Sequence, residues 1–453
     1  MNAAAASGPY FGLAILGPAT LVLLVSALIA GHRIKSLQGR FVFAAIWLRM
    51  ILGAYHVYMF KPLAAGMSGN ALASVAVAGV GLLVIRPRHL MLKALLPVYF
   101  LMALVLLSGV LNRDMGGIMT VAVKYGYFVV LLIAAFEALR RDEAERLMPL
   151  LIWAFAPLLL FQALSIVLNL PKGSEGGDGL VWIGGYNHES SFSISLLLGF
   201  IVGSLAHRLH PAIRLPYLGA MAIGIFLAGY RTSLIAAVPL LLIAFWVAIT
   251  HISPSQRRIM AAVALMAAVV GVGTIAVIDH QRFVDMGTFL ANPAELIKPP
   301  REFTQIERGI LSARPLIWSE YIYAYSAGLP HQLLFGFGPE SWEKAFNVYP
   351  HNTLIGTLYE LGGVGVGVIV LLWISMAALV LQARRLDRPV LAAAHLSFFF
   401  LNMGTMPFWQ IEGLALYAVL CGYTLFSARE GAQRRANARA PSWGPMSASP
   451  RAA

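Results

Sequence analysis

The chain has 453 residues, 59% of them hydrophobic and only 12% charged, with a formal net charge of +13. Apolar runs near 20 residues recur from end to end, which excludes a soluble globular protein and predicts a single, all-α polytopic membrane domain over residues 1–453. The positive excess gathers in short loops between runs, as membrane insertion demands, so nucleic acid is not read as a partner.

Apolar runs near 10–30, 41–59, 71–85, 94–111, 118–138, 150–170, 190–206, 215–230, 233–250, 259–278, 352–381, 390–404 and 413–427 predict about 12–13 transmembrane helices. The first run has its first basic residue, Arg33, on its far side; it lacks the positive leading region of a signal peptide and reads as a retained helix. Loops 31–40, 86–93, 139–149, 207–214, 251–258 and 382–389, with the tail from 428, carry 21 of the 33 Lys and Arg residues. Positive residues in short loops stay in the cytoplasm, which places the N-terminus and two longer segments, 171–189 and 279–350, outside. The tail, 428–453, is rich in Ala, Arg, Ser and Pro and reads as a disordered basic cytoplasmic segment against anionic membrane lipids.

In chain order, the first informative charge is Arg49. Charges at such depth face a bundle interior or a watery cavity. Arg49, Gly53 and His56 fall at i, i+4 and i+7, a polar stripe that either lines a path for a lipid phosphate or pairs with Glu137 or Glu360. Lys124 is a second deep cation. His207 and His210 have i, i+3 spacing but sit in a basic loop, and they read as rim residues and not metal ligands. Arg231, in GYRTSL, is pinned between two apolar runs with almost no loop, either to hold an external anion or to snorkel to headgroups. The lone Cys421 lies in the last apolar run, so it reads as packing and no disulfide within the chain is possible.

The outer segment 279–350 holds six basic and eight acidic residues, Arg308 among the former. Residues 302–313 read as a helix, and Pro315 at a first helical position starts another through about Ala327. Arg314 then sits at a helix start, where backbone N–H groups favour an anion; the alternative is a pair with Glu307 or Glu320. Past this segment comes PHNTLIGTLYELGGVG, residues 350–365. His351 stands at the mouth of an apolar run, where a histidine can take a proton from a hydroxyl near neutral pH. Asn352 doubles as a helix cap. Glu360, buried further in, calls for a cation such as Arg49, Lys124 or Arg314. The pair Gly363 and Gly367 suits close helix packing.

These residues resemble the O-antigen ligase and polymerase superfamily of bacterial membrane glycosyltransferases. Its motif is a His, then Asn, Ser or Gln, nine residues, Gly, two residues, and Gly, Thr or Tyr; His351, Asn352, Gly362 and Gly365 fit every fixed position. Upstream, Arg231 closes a short outer turn, Arg314 to Trp318 gives Arg-x-x-x-Trp, Gly336 and Gly338 give Gly-x-Gly, and the stretch around Asn187 and His188 is similar to the family's Gly and Asn segment. The family's Leu four places after the first Arg is Ile235 here.

The resemblance implies a GT-C-like bundle in the bacterial inner membrane with a large periplasmic helical loop, 279–350, carrying part of the site. It also implies transfer of a glycan from an undecaprenyl-pyrophosphate carrier to an acceptor hydroxyl, with no nucleotide sugar; the outer loops hold no Asp-x-Asp motif, so neither metal nor cofactor is expected. His351 would be the general base, with Arg231 and Arg314 holding the pyrophosphate. Asn352, Arg308, Arg49, Lys124, Asn187 and His188 would contact substrate, and Glu360, Gly362 and Gly365 would be structural. The acceptor would be another carrier-linked repeat (polymerase), a lipid A core sugar (ligase) or a protein side chain. The rival reading is a flippase or other transporter of lipid-linked glycans, which would show paired broken helices in two related halves; no such repeat is visible.

Overall fold

The computed structural model describes residues 10–64, 66–174, 179–250 and 297–439. The expected helix 259–278, the start of the second outer segment and the tail beyond Arg439 lie outside them. The fold is all-α and polytopic. Its main helices are α1 (Leu13–His32), α2 (Leu37–Ala54), α3 (Gly69–Val84), α4 (Leu96–Leu111), α5 (Met115–Arg141), α6 (Ala144–Leu151), α7 (Ala156–Val167), α8 (Glu189–Leu205), α9 (Pro211–Leu227), α10 (Arg231–Thr250), α11 (Arg314–Ser326), α12 (Thr353–Gln382), α13 (Arg388–Gly404) and α14 (Ile411–Arg439). Among the described residues seven spans are long and apolar enough to cross a membrane, and α3, α8, α9 and α10 add shorter apolar helices. Among the described residues the strands are confined to two short antiparallel pairs, Pro62–Ala64 with Met67–Ser68 and Lys172–Gly173 with Leu180–Val181.

The bundle is built around α14, whose apolar stretch is buried on all sides, as expected of a helix that is hydrophobic all round. It lies along α5. Gly422 permits the approach: a Cβ there would sit 2.7 Å from the Leu132 carbonyl. Cys421 is buried beside it.

Among the described residues, the loops 31–40, 86–93, 139–149, 207–214 and 382–389 gather at one end. Ser36 donates from its backbone to Asp142 at 2.8 Å, and Glu137 accepts from Arg86 N at 2.8 Å and pairs with His89 at 2.6 Å. Arg384 reaches Glu145 at 2.7 Å and Asp387 at 2.6 Å, while His207 bonds Asp387 at 3.0 Å. His210 caps α9 through Nδ1, so both histidines of that loop serve structure. Asp387 is fully buried and also accepts from Ser427 (2.6 Å) and Tyr423 (3.2 Å). Burial opposes its ionisation, but these donors outweigh it and hold the carboxyl down at about 2.

Two local expectations are corrected. Residues 428–439 are not disordered but continue α14 to Arg439. The segment is rich in good helix formers, and Arg435 Nη2 ties it to the Gln382 carbonyl at 2.9 Å. Residues 302–313 are not a regular helix: short 3-10 turns at Pro300–Glu302 and Glu307–Ala313 end in three successive left-handed residues, Leu311, Ser312 and Ala313. Gly309 and Ser312 are poor helix formers, and Glu307 is drawn into local bonds with Thr304 N (2.7 Å) and Lys298 (2.7 Å) that compete with helix. The Lys298 bond, aided by Thr304, holds the Glu307 carboxyl down at about 2.

Candidate functional site

The last carbonyls of a helix have no partner within it. At the end of α13 three side chains from two other segments supply donors over long hydrogen bonds of 3.4 Å: Asn352 Nδ2 to Met403 O, Thr232 Oγ1 to Gly404 O, and Thr353 Oγ1 to Thr405 O. Thr232 follows Arg231, the first residue of α10, and Asn352 follows His351. Arg314, the first residue of α11, donates from Nη2 to Thr232 Oγ1 at 3.4 Å. One helix end thus collects the segments that carry Arg231, Arg314 and His351. The turn before Arg231 needs its glycine: Gly229 has φ +66°, and a Cβ would meet Val181 at 2.5 Å. The alternative partner for Arg314, Glu307, is held by Lys298.

His351 is half-buried with φ +51°, a conformation uncommon for a residue with a Cβ and concentrated at functional sites. Its neighbours hold it there. Trp318 Nε1, four residues beyond Arg314, donates to Pro350 O at 2.8 Å. The imidazole lies against the Tyr349 ring at 3.9 Å between centroids, and Tyr349 stacks on Trp409 at 5.6 Å. Asn352 is the cap of α12, accepting from Leu354 N (2.9 Å) and Ile355 N (3.2 Å).

The glycines of the motif join the outer segment to α12. Gly362 breaks α12 with φ +70°, and a Cβ there would lie 2.3 Å from the Leu334 carbonyl of the short helix Pro330–Phe335. Just before the break, Tyr359 O accepts from Phe337 N (2.9 Å), and Glu360 O accepts from Gly338 N (3.1 Å) and Ser108 Oγ (2.9 Å). Gly336, φ +78°, packs so closely that a Cβ would meet the Glu360 carbonyl carbon at 2.1 Å. Gly365 is crowded by Leu361 and Thr357 of its own helix. The expected packing pair fails. A Cβ on Gly367 would meet open space and one on Gly363 ordinary contact at 3.7 Å, because the close approach occurs at the break instead.

The deep cations have partners other than those expected. Arg49 pairs with Glu412 (2.7 Å), not Glu137 or Glu360, and also bonds Asn70. Both members of the pair are buried, so the polar stripe on α2 is closed by α14. His56 is buried on the short helix beyond α2, after α2 has ended at Ala54, so the stripe does not continue along one helix. Lys124 pairs with Glu340 at 2.5 Å and lies 5.0 Å over the Trp409 ring, and Trp409 Nε1 donates to Glu340 Oε2 at 2.7 Å. Glu360 therefore does not pair with Arg49 or Lys124, and its Oε1 is buried without a hydrogen-bond partner among the described residues. Arg308 is exposed and bonds the Phe303 carbonyl of its own loop. His188 caps α8 by accepting from Ser190 N at 3.1 Å, and Ser190 Oγ meets Gln410. The Asn187 carbonyl accepts from Lys172 at 2.7 Å.

Sequence reasoning missed the segment that connects these groups, residues 403–412, from the end of α13 to the start of α14. It contributes the carbonyls of Met403, Gly404 and Thr405, the Trp409 ring, Gln410 and Glu412. Its sequence, MGTMPFWQIE, marks a turn, and nothing in one chain distinguishes Trp409 from a membrane-interface aromatic. Glu340 was equally hidden among eight outer acids.

Residues 216–370 match the family model described as O-antigen ligase, a stretch that contains Arg231, Arg314, His351, Gly362 and Gly365. A search of curated proteins gives no match for the chain.

Proposed function

Because the chain belongs to the O-antigen ligase and polymerase superfamily, we propose that it is a membrane glycosyltransferase moving a glycan from an undecaprenyl-pyrophosphate carrier to an acceptor hydroxyl at the periplasmic face of the inner membrane. The observation that carries this reading is the meeting, at the end of α13, of the segments bearing two arginines and a histidine. Arg231 and Arg314 stand at helix starts, where backbone N–H groups and the dipole add to the guanidinium charge. They suit the charge that grows on a departing pyrophosphate. His351 accepts the proton of the attacking hydroxyl, or orients it, and the arginines supply the positive charge without a metal or cofactor.

The test is reconstitution. Purified protein in vesicles is given the carrier-linked repeat unit, with and without a lipid A core acceptor, and products are resolved by mass. Chain growth alone identifies a polymerase; transfer only to the core identifies a ligase. No transfer to either acceptor, from protein that is folded and supplied with its own host's donor, would count against the reading.

A further inference from the structure

We infer that the pocket between the start of α5 and residues 340–344 binds one sugar ring of the acceptor glycan, an inference that rests on the glycan-transfer reading above. The pocket has a volume of about 280 Å³ and is lined by Trp409, Lys124, Thr120, Asp114, Glu340 and Glu343, among others. That is near the lower end of small-ligand sites, roughly 300–1,000 Å³, which suits one ring and not a long chain.

The chemistry of the lining selects the ligand class. A pyranose ring has apolar C–H faces and a rim of hydroxyls, each both donor and acceptor. It asks for an aromatic surface beside mixed donors and acceptors. Trp409 supplies the first. Carboxylates, the Thr120 hydroxyl and the Lys124 ammonium supply the second. A phosphate would meet three carboxylates, and a lipid tail would bury them without partners.

The site is also built before any ligand arrives. Glu340 receives Lys124 on one oxygen and the Trp409 indole N–H on the other, which fixes the ring. Lys344 bonds Asp114 at 2.6 Å. Two of the three carboxylates are thereby matched by cations, Lys124 on Glu340 and Lys344 on Asp114, which leaves one unmatched acid, Glu343, at the exposed rim. The lining is close to neutral, as a neutral polyol requires.

Position assigns the ring to the acceptor. Trp409 stacks on Tyr349, which lies against His351, so the pocket is two ring contacts, 5.6 Å and 3.9 Å, from the proposed base. The arginine side approaches by another route, through Trp318 and Pro350. A sugar held against Trp409 leaves a neighbouring residue of the same glycan to present its hydroxyl at His351.

Binding tests this apart from catalysis. The full chain in lipid nanodiscs is titrated calorimetrically with two soluble probes: the oligosaccharide released by mild acid from the host's carrier-linked glycan, and the core oligosaccharide released from its lipopolysaccharide. One probe is expected to bind, with affinity lowered about tenfold or more in Trp409→Ala and severalfold in Glu343→Gln. Glu343 is exposed, so the second variant guards against misfolding of the first. Arg314→Ala should leave this binding unchanged, and inorganic pyrophosphate should not compete. Binding of neither probe, equal binding in both pocket variants, or competition by pyrophosphate would each overturn the assignment. Sugar binding with no transfer in reconstitution would leave the pocket standing and remove the catalytic reading instead.

Discussion

Arg314 Nη2 and Thr232 Oγ1 are joined by a 3.4 Å hydrogen bond, so the arginine that opens α11 is held beside the residue following Arg231. The two arginines are 83 positions apart in the chain. The threonine hydroxyl donates its hydrogen bond to the Gly404 carbonyl, which leaves its oxygen as the acceptor that fixes the guanidinium.

Arg314→Ala is expected to abolish transfer. Arg314→Lys should retain charge but lose about tenfold to a hundredfold in kcat/KM, because an ammonium cannot reproduce the planar fork. Thr232→Val, which removes the orienting oxygen together with its bond to the Gly404 carbonyl, should lose about tenfold. A reconstituted assay with carrier-linked donor checks all three; full rate in Arg314→Lys would reduce the arginine to a point charge.

His351→Ala should lower the rate by about 10²- to 10⁴-fold with unchanged protein in the membrane. His351→Asn tolerates the left-handed backbone and should be equally inactive. An active asparagine variant would show that the position orients the acceptor and does not take its proton.

Gly362→Ala places a Cβ against the Leu334 carbonyl at positive φ and should destabilise by about 3 kcal/mol. Gly367→Ala, which meets open space, should leave thermal stability unchanged or slightly raised. Melting of the detergent-purified proteins separates the two, and equal melting temperatures would refute the docking role of the break.

Arg49→Met alone strands Glu412 in the interior and should cost about 3–5 kcal/mol, whereas Arg49→Met with Glu412→Leu should recover most of it. Chemical denaturation measures this. If the double variant is stable but inactive, Arg49 serves the substrate as well as the fold.

Asp387 titrates at about 2 in the folded chain against an ordinary 3.8, a difference equivalent to about 2 kcal/mol. Its folded value is lowered, so this stability is present above about pH 5 and is lost as pH falls toward 2. Asp387→Asn should melt earlier at pH 7 and show a smaller loss between pH 5 and pH 3 than the unaltered protein. An identical acid profile in both would remove Asp387 as the source.

The helical class, the gathering of the described basic loops and the three residues whose segments meet at the end of α13 were legible in the sequence, because hydrophobic run length, loop charge and short motifs are local signals. Partner choice was not. Arg49 and Lys124 were recognisable as buried cations, yet Glu412 and Glu340 stand 363 and 216 positions away, and only the packing of α14 and the outer loop pairs them. The pair Gly363 and Gly367 was misread for a related reason: a GxxxG spacing assumes an unbroken helix, and the positive φ at Gly362 removes that assumption. Trp409 was silent because its role comes from what surrounds it and not from its neighbours in sequence.

The break in α12 also sets a depth. An unbroken helix of 30 residues would be about 45 Å long, half again the hydrocarbon core of a bilayer. The residues beyond Gly362 to the end of α12 measure about 30 Å, one core thickness. Upright in a membrane, α12 therefore brings Gly362 to the hydrocarbon boundary and leaves the turns that lead back to His351 on its polar side. For the proposed reaction, a carrier anchored by its tail already presents its pyrophosphate on the side of that boundary where the histidine lies. Its search for the site is reduced from three dimensions to diffusion in the plane.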